Sequence, residues 1–245
     1  MIETDYVIAI PSYKRYKTIK TKTLALLLKH NIPKSKITIF VGNKEEYDLY
    51  NIELECQYNI VIGKVGMMHI RNFIADYYDF GTNILNLDDD LEQFVSLYHC
   101  FNLDEWIRNA FELLELHDAN LFGIYPVNNK FFMSPTLRTD LRYIIGSCWG
   151  VKNMRVKVTI DDKEDVERSI KYYLRDGIIL RFEDLSVKSK YYKEPGGMQI
   201  TRTKLRIEQS AKYLVEKYPN LCSLKMSKKH KTFEVKLKDK IDKIE

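Results

Sequence analysis

The sequence predicts an α/β fold, a mixed, mostly parallel sheet flanked by helices. Three observations carry this expectation. Short apolar runs rich in Ile and Val alternate with longer segments whose apolar residues recur at helical spacing. The first run, Tyr6 to Ile10, breaks at Pro11 into the polar, basic turn Ser12-Tyr13-Lys14-Arg15, placed where open α/β sheets bind ligands. A later run, Asn83 to Leu87, ends abruptly in Asp88-Asp89-Asp90.

The elements follow in order. Thr18 to His30 reads as a helix with Ile19, Leu24, Leu27 and Leu28 inward, stopped by Asn31-Ile32-Pro33. Lys36 to Val41 is a second strand, and Gly42-Asn43 opens a helical segment running to Tyr50. Asn59 to Ile62 is a third strand, leading into a helix over Gly66 to Tyr78. At 100° per residue Met67, Ile70, Ile74 and Tyr77 share one side of that helix, with His69, Asn72 and Asp76 opposite. Arg71 falls at the edge of the buried side, where a guanidinium requires an anion as partner.

Beyond the triplet, Leu103 to His117 reads as a helix capped by Asn102 or Asp104, Leu121 to Val127 as a strand, and Arg142 to Val151 as a strand holding Gly146 and Gly150. Trp149, between those glycines, offers a flat face to a sugar or base, or else fills the core. The acidic run from Asp161 starts a helix ending at Gly177, with Val166, Ile170, Tyr173 and Leu174 as its apolar stripe. Acidic residues in a first turn also suit the helix dipole on their own account. Lys188 to Met198 mixes lysines and tyrosines before Pro195-Gly196-Gly197, a stretch suited to a loop that closes over a ligand or to a solvated one. Thr203 to Tyr218 is a further helix, and Phe233 to Leu237 a late strand with one mostly basic side.

Composition narrows the classes. With 245 residues, 45% of them hydrophobic and 30% charged, the chain can bury a sizeable core, and no run of eighteen apolar residues suggests a membrane span. The acidic start, Met1-Ile2-Glu3-Thr4-Asp5, lacks a secretion signal's pattern, so a cytoplasmic protein is expected. Cys56, Cys100, Cys148 and Cys222 stand singly, which argues for buried free thiols rather than a zinc site or disulfide framework. Residues 225–245 carry eight lysines against four acidic residues and so hold most of the net charge of +5; contact with a polyanion is expected there first, at Lys228 and Lys229 among others.

The triplet bears the chemistry. If the strand continues through it, Asp88 and Asp90 point the same way about 6–7 Å apart and can clamp one hard cation, Asp89 pointing oppositely. An acidic turn or helix cap is the alternative account.

The succession Ile-Pro-Ser-Tyr-x-Arg, Gly-x-x-x-x-Arg-Asn, and an apolar strand into Asp-Asp-Asp resembles the nucleotide-sugar half of a GT-A glycosyltransferase. The resemblance implies Mn²⁺ or Mg²⁺ held by Asp88 and Asp90, a nucleotide-sugar donor, UDP-linked by expectation, and donor contacts from Pro11, Ser12, Tyr13, Arg15, Arg71, Asp88 and Asp89. The stretch Glu164-Asp165-Val166-Glu167, followed by a helix, Asp176-Gly177 and a strand, is similar to the second signature of inverting GT-A enzymes, which implies that Asp165 is the catalytic base. The ordered blocks Gly-Ile-Tyr-Pro-Val-Asn-Asn, Leu-Arg-Tyr-Ile-x-Gly-x-x-Trp-Gly, Glu-Asp-x-Glu-Arg-Ser and Tyr-Tyr-Lys-Glu-x-Gly-Gly resemble the branch that includes the base J glucosyltransferase and phage enzymes associated with TET/JBP-type oxygenases. That branch implies a hydroxymethylpyrimidine of DNA as acceptor, with Trp149, Glu164, Lys193, Gly196, Gly197, Lys228 and Lys229 as acceptor or loop candidates and His230 as a possible third metal ligand. A glycan or protein acceptor, or a nucleic-acid-binding module without catalysis, are the alternatives. The expected organisation is a donor half over about residues 1–100, an acceptor half over about 101–200, and a helix and basic extension over 201–245 packed on the same domain.

Overall fold

The computed structural model describes residues 4–189, 196–197, 203–227 and 232–238. Its main sheet has eight strands: β1 (Val7–Pro11), β2 (Ile37–Val41), β3 (Asn59–Ile62), β4 (Asn83–Leu87), β6 (Leu121–Ile124), β7 (Leu137–Arg138), β8 (Cys148–Lys152) and β9 (Leu180–Phe182). They lie in the order β3-β2-β1-β4-β8-β6-β9-β7. The first four are mutually parallel, β8 runs antiparallel to both β4 and β6, β6 and β9 are parallel, and β7 closes the edge antiparallel. The expected mixed, mostly parallel sheet is therefore the one observed.

Alternation along the strands sorts the core into two layers. Ile8, Ile10, Ile37, Ile39, Leu85 and Leu87 meet the segments α1 (Tyr16–Ile19) and α2 (Ala25–Lys29), then α3 (Lys44–Glu53) and α5 (Leu103–Leu116). Ala9, Phe40, Ile84 and Val151 face the other way, against α4 (Met67–Tyr77), α6 (Glu164–Asp176) and α7 (Lys204–Lys217). Between α1 and α2 the helix widens without a break into a π-helical stretch, Lys20–Leu24. Two small antiparallel pairs complete the chain: β5 (Leu91–Ser96) with β10 (Leu185–Ser189), and β11 (Cys222–Met226) with β12 (Phe233–Leu237). Ala211, Leu214, Leu221 and Cys222 of the C-terminal segment are buried, the last three within the same core layer as α4 and α6.

Several local expectations change. The strand expected from Arg142 begins only at Cys148; residues 142–147 are irregular, with Ile144 and Ile145 in the core and Tyr143 turned to Asp165. On α6 Tyr172 is buried and Leu174 is exposed, because the helix turns Glu164, Glu167 and Arg168 inward with Val166 and Ile170. Burial would raise the Glu167 carboxyl, but hydrogen bonds from the Thr159 hydroxyl and amide, with Lys171, hold it below the usual range. Of the four thiols, Cys148 and Cys222 are buried but Cys56 and Cys100 are exposed.

Gly150 shows how closely neighbouring strands are packed, Phe122 of β6 lying opposite it in register. A Cβ there would lie 2.2 Å from the ring of Phe122, itself fully buried. Gly150→Ala is expected to lower unfolding stability by about 1–3 kcal/mol, read as a reduced urea midpoint.

Candidate functional site

The chain leaves β1 toward β2 on one side, whereas α4 delivers it to β4 on the other, so a crevice opens at the carboxyl ends of β1 and β4. The turn Ser12 to Arg15 lines one wall and Asp88 to Asp90 the other. Antiparallel pairing sets the start of β8 beside the end of β4, Cys148 opposite Leu87, and Asp88 N–H donates to Ser147 O at 3.0 Å. Residues 146–147 thus form the floor between the triplet and whatever follows α6's first turn.

The triplet lies in a turn between β4 and β5 rather than on the strand, so strict alternation does not apply to it. Its three carboxylates have separate environments. Asp89 is buried, accepting from Ser12 Oγ at 2.5 Å and from Arg15 Nη1 at 2.8 Å. Burial nonetheless raises its carboxyl above the usual range, Arg15 and Ser12 opposing. Asp90 meets the same guanidinium at 3.3 Å. Asp88 alone keeps a substantially open side chain, 36% exposed, with Arg71 Nη2 at 3.2 Å. The rest of its surface is tightly enclosed; that desolvation pushes its carboxyl up to about 7, with Arg71 opposing and Asp90, Asp89 and Glu164 reinforcing.

The basic turn is built from a distance. Asn43 caps α3 by accepting from Glu46 N–H, and the Glu46 carboxylate accepts from Lys14 N–H at 2.8 Å. Tyr50, fully buried one turn later, accepts from Arg15 N–H at 3.0 Å and bonds Ser12 Oγ at 2.7 Å. Because Ser12 gives its proton to Asp89, Tyr50 is the donor in that last contact. Pro11 is the final residue of β1, in register with Phe40, and Tyr13 is half-buried at the mouth. Arg15 and Ser12, expected to contact a donor, bond the triplet and hold it in shape. Arg15→Ala should therefore cost about 3–5 kcal/mol of stability, since it strands a buried Asp89 carboxylate; chemical denaturation measures it.

Gly196 and Gly197 sit on the same turn. Gly197 N–H donates to Tyr13 O at 3.0 Å, and Arg15 Nη2 reaches Gly196 O at 3.4 Å. With φ of +87° a Cβ on Gly196 would also lie 2.7 Å from Lys14 O, so glycine is required there.

Arg71 has the anion partners its position demanded. Buried, it joins Asp88, Gly146 O at 3.1 Å and Asn86 Oδ1 at 3.5 Å, while its Nε lies 3.7 Å from Glu164. It thereby ties the triplet to the first turn of α6. There Asp165 is half-buried and accepts from Tyr143 O–H at 2.6 Å, Tyr143 being steadied by Arg181, whose Nη1 donates to its carbonyl at 3.3 Å. A Cβ on Gly146 would lie 3.6 Å from Asp165 Oδ2 and 3.7 Å from Glu164 Oε1, so residue 146 lies directly beside the acidic pair. Arg71, Asp88, Glu164 and Asp165 are thus brought into one site.

Trp149 corrects one expectation. It is only 6% exposed, and the Arg168 guanidinium covers its ring at 3.5 Å, so its face serves the interior and not an acceptor. Lys193, Lys228, Lys229 and His230 lie outside the described residues. Sequence reasoning missed Tyr50 and Asn86, which stand in no motif, and gave no role to Tyr143 and Arg168, which the quoted blocks contain; their contacts with charged groups reveal all four. Among the described residues no three His, Cys, Asp or Glu side chains converge as a metal-holding group.

No protein-family model and no curated protein matches the chain. Solved structures do. Residues 1–349 of S. aureus TarS align with a TM-score of 0.51 at 16% identity over 75% of this chain, which spans 59% of that structure. Glucosyl-3-phosphoglycerate synthase from Mycobacterium tuberculosis, in complex with Mn²⁺, UDP and glucosyl-3-phosphoglycerate, aligns with a TM-score of 0.53 at 8% identity, over 96% of this chain and 88% of that one. The same enzyme with Mn²⁺, UDP-glucose and phosphoglyceric acid gives 0.51 at 9% identity, over 91% and 84%. The chain has a GT-A-like fold, an architecture shared with nucleotide-sugar glycosyltransferases.

Proposed function

We propose that the protein is a metal-dependent, inverting glycosyltransferase that moves a sugar from a UDP-linked donor to a hydroxyl acceptor. The observation that carries this reading is the separation of two acidic groups across one floor: Asp88 with Asp90 on the β4 turn, and Asp165 at the start of α6, with residues 146–147 between them. The donor set on the first side is oxygen only, which suits Mg²⁺ or Mn²⁺. Asp88 fits such an ion: it is the open carboxylate, Asp89, Asp90 and Glu164 crowd it with like charge that Arg71 opposes, and a cation there relieves the crowding. Asp88 and Asp90 would hold the metal, whose charge offsets that of the departing nucleoside diphosphate.

The remaining work falls to side chains of this chain. Tyr13, at the mouth between β1 and β2, is placed to meet the base. Arg71 holds Asp88 from beneath. Asp165 accepts the proton of the attacking hydroxyl, and the Tyr143 hydroxyl fixes its orientation. Glu164, held among Arg71 and Arg168, anchors the turn on which Asp165 stands.

For the acceptor we favour the hydroxymethyl group of a modified pyrimidine in DNA, on the basis of the ordered sequence motifs and the lysines around residues 225–231. Lysines there supply sequence-independent phosphate attraction. The reading is tested by incubating the protein and Mn²⁺ with labelled UDP-sugars and, in separate arms, hydroxymethylated DNA, unmodified DNA and glycan acceptors. Label in hydroxymethylated DNA alone supports the full reading. Transfer to a glycan only would move the acceptor to that class, and absence of transfer and of donor hydrolysis in every arm overturns the enzyme assignment.

A further inference from the structure

Lys163 stands where a lysine is disfavoured twice. Its backbone has φ 64° and ψ 27°, the left-handed region that crowds the Cβ of an L residue. It is also the N-cap of α6, a place that favours a short side chain able to bond the first amides, and its own side chain makes no such bond. Among the described residues six other non-glycine residues, Lys14 and Arg155 among them, have positive φ; all six are exposed, whereas Lys163 is buried. A residue strained in this way persists where its surroundings over-determine it. Here the side chain supplies the hold: the Lys163 ammonium, 8% exposed, donates to the Glu234 carboxylate of β12.

The neighbours of Lys163 give that strain a consequence. Its carbonyl accepts from Val166 N–H and Glu167 N–H, both at 3.1 Å, and Val166 N–H also donates to Asp165 Oδ1 at 2.9 Å. The conformation of residue 163 therefore sets the first turn of α6 and the direction of Asp165. The two residues before it are also tied. Asp161 Oδ1 accepts at 2.9 Å from Met68 N–H in the first turn of α4, the helix that carries Arg71, the partner of Asp88. Asp162, buried, lies 3.2 Å from Arg206 Nε of α7, and Arg206 Nη2 lies 3.6 Å from Asp161. Residues 161–163 thus join the start of the helix that holds Asp88 to the start of the helix that bears Asp165, and their charged partners, Arg206 and Glu234, both come from the C-terminal segment. We infer that Glu234 is a positioning residue for sugar transfer: by holding the Lys163 ammonium it keeps residue 163 left-handed and fixes Asp165 in its place relative to Asp88. The inference rests on the reading of Asp165 as the base.

The test reads the turn and the reaction separately. Glu234→Ala leaves the Lys163 ammonium without its partner. Glycine takes the left-handed conformation without a Cβ penalty, so adding Lys163→Gly removes the need for that partner and keeps the turn. In full-length Glu234→Ala the amides of Val166 and Glu167 are expected to exchange hydrogen faster, while amides near the C-terminal end of α6 do not. The kcat of transfer should fall by up to about 10²-fold, the scale of a catalytic group misplaced by about 1 Å, with UDP affinity in Mn²⁺ unchanged. In the double variant both the protection and the kcat should largely return. Exchange as in the wild-type protein, a kcat at the wild-type level, or a double variant no better than Glu234→Ala overturns the inference. Absence of transfer by the wild-type protein would count against the reaction assigned above, and the exchange of the two amides, with its return in the double variant, would still decide whether Glu234 holds the turn.

Discussion

Asp165→Asn is expected to slow sugar transfer by about 10²–10⁴-fold, the range contributed by a positioned general base, while donor affinity stays at the wild-type level. Asparagine keeps the size of the side chain and can still accept from the Tyr143 hydroxyl, so the turn at the start of α6 survives. What it loses is the capacity to take a proton. Single-turnover transfer measured beside calorimetric titration of the UDP-sugar separates the two effects. Donor binding that falls together with the rate would mean that Asp165 belongs to the donor side, and the division between the acidic groups would collapse.

Asp88→Ala should do the reverse. Substituting a residue that merely supports a metal ligand commonly costs 10–100-fold in affinity, so deleting a ligand is expected to weaken Mn²⁺-dependent donor binding by more than about 100-fold. The fold should tolerate it, because Asp88 is the least buried and most crowded of the three carboxylates. Titration with UDP in the presence and absence of Mn²⁺, with the far-ultraviolet circular dichroism as a control for folding, measures the effect. Metal-enhanced UDP binding that persists in the variant would remove Asp88 from the metal site.

Much of this was legible in the residues. The run of strands and helices, the crevice where the first strand ends, and the partner-seeking Arg71 all follow from hydrophobic period and from the cost of burying a charge. The failures have a common physical origin. A turn after Leu87 replaced the extended geometry assumed for Asp88-Asp89-Asp90, so their division into one open carboxylate on Arg71 and two enclosed ones on Arg15 did not follow from alternation. On α6 a stripe drawn through Leu174 took no account of Glu167 and Arg168, charged residues that are buried because partners arrive from distant strands and loops. Trp149 could be placed in a strand but not assigned to the core, since the guanidinium covering it comes from nineteen positions further along. Pairings between remote positions, Tyr50 with Ser12 or Tyr143 with Asp165, leave no periodic trace.

The π-helical stretch Lys20–Leu24 is bonded directly to the acidic turn. Thr23, fully buried within it, donates to Asp88 O at 2.8 Å and accepts from Leu91 N–H at 2.9 Å, spanning both ends of the acidic turn with one hydroxyl. A π turn accommodates one residue more than an α turn does, and a single residue of register amounts to about 100° around a helix axis. The pose of the carboxylates is therefore calibrated by residue count in a helix that supplies none of them, and a change of length there would detune the turn with every acidic residue still in place.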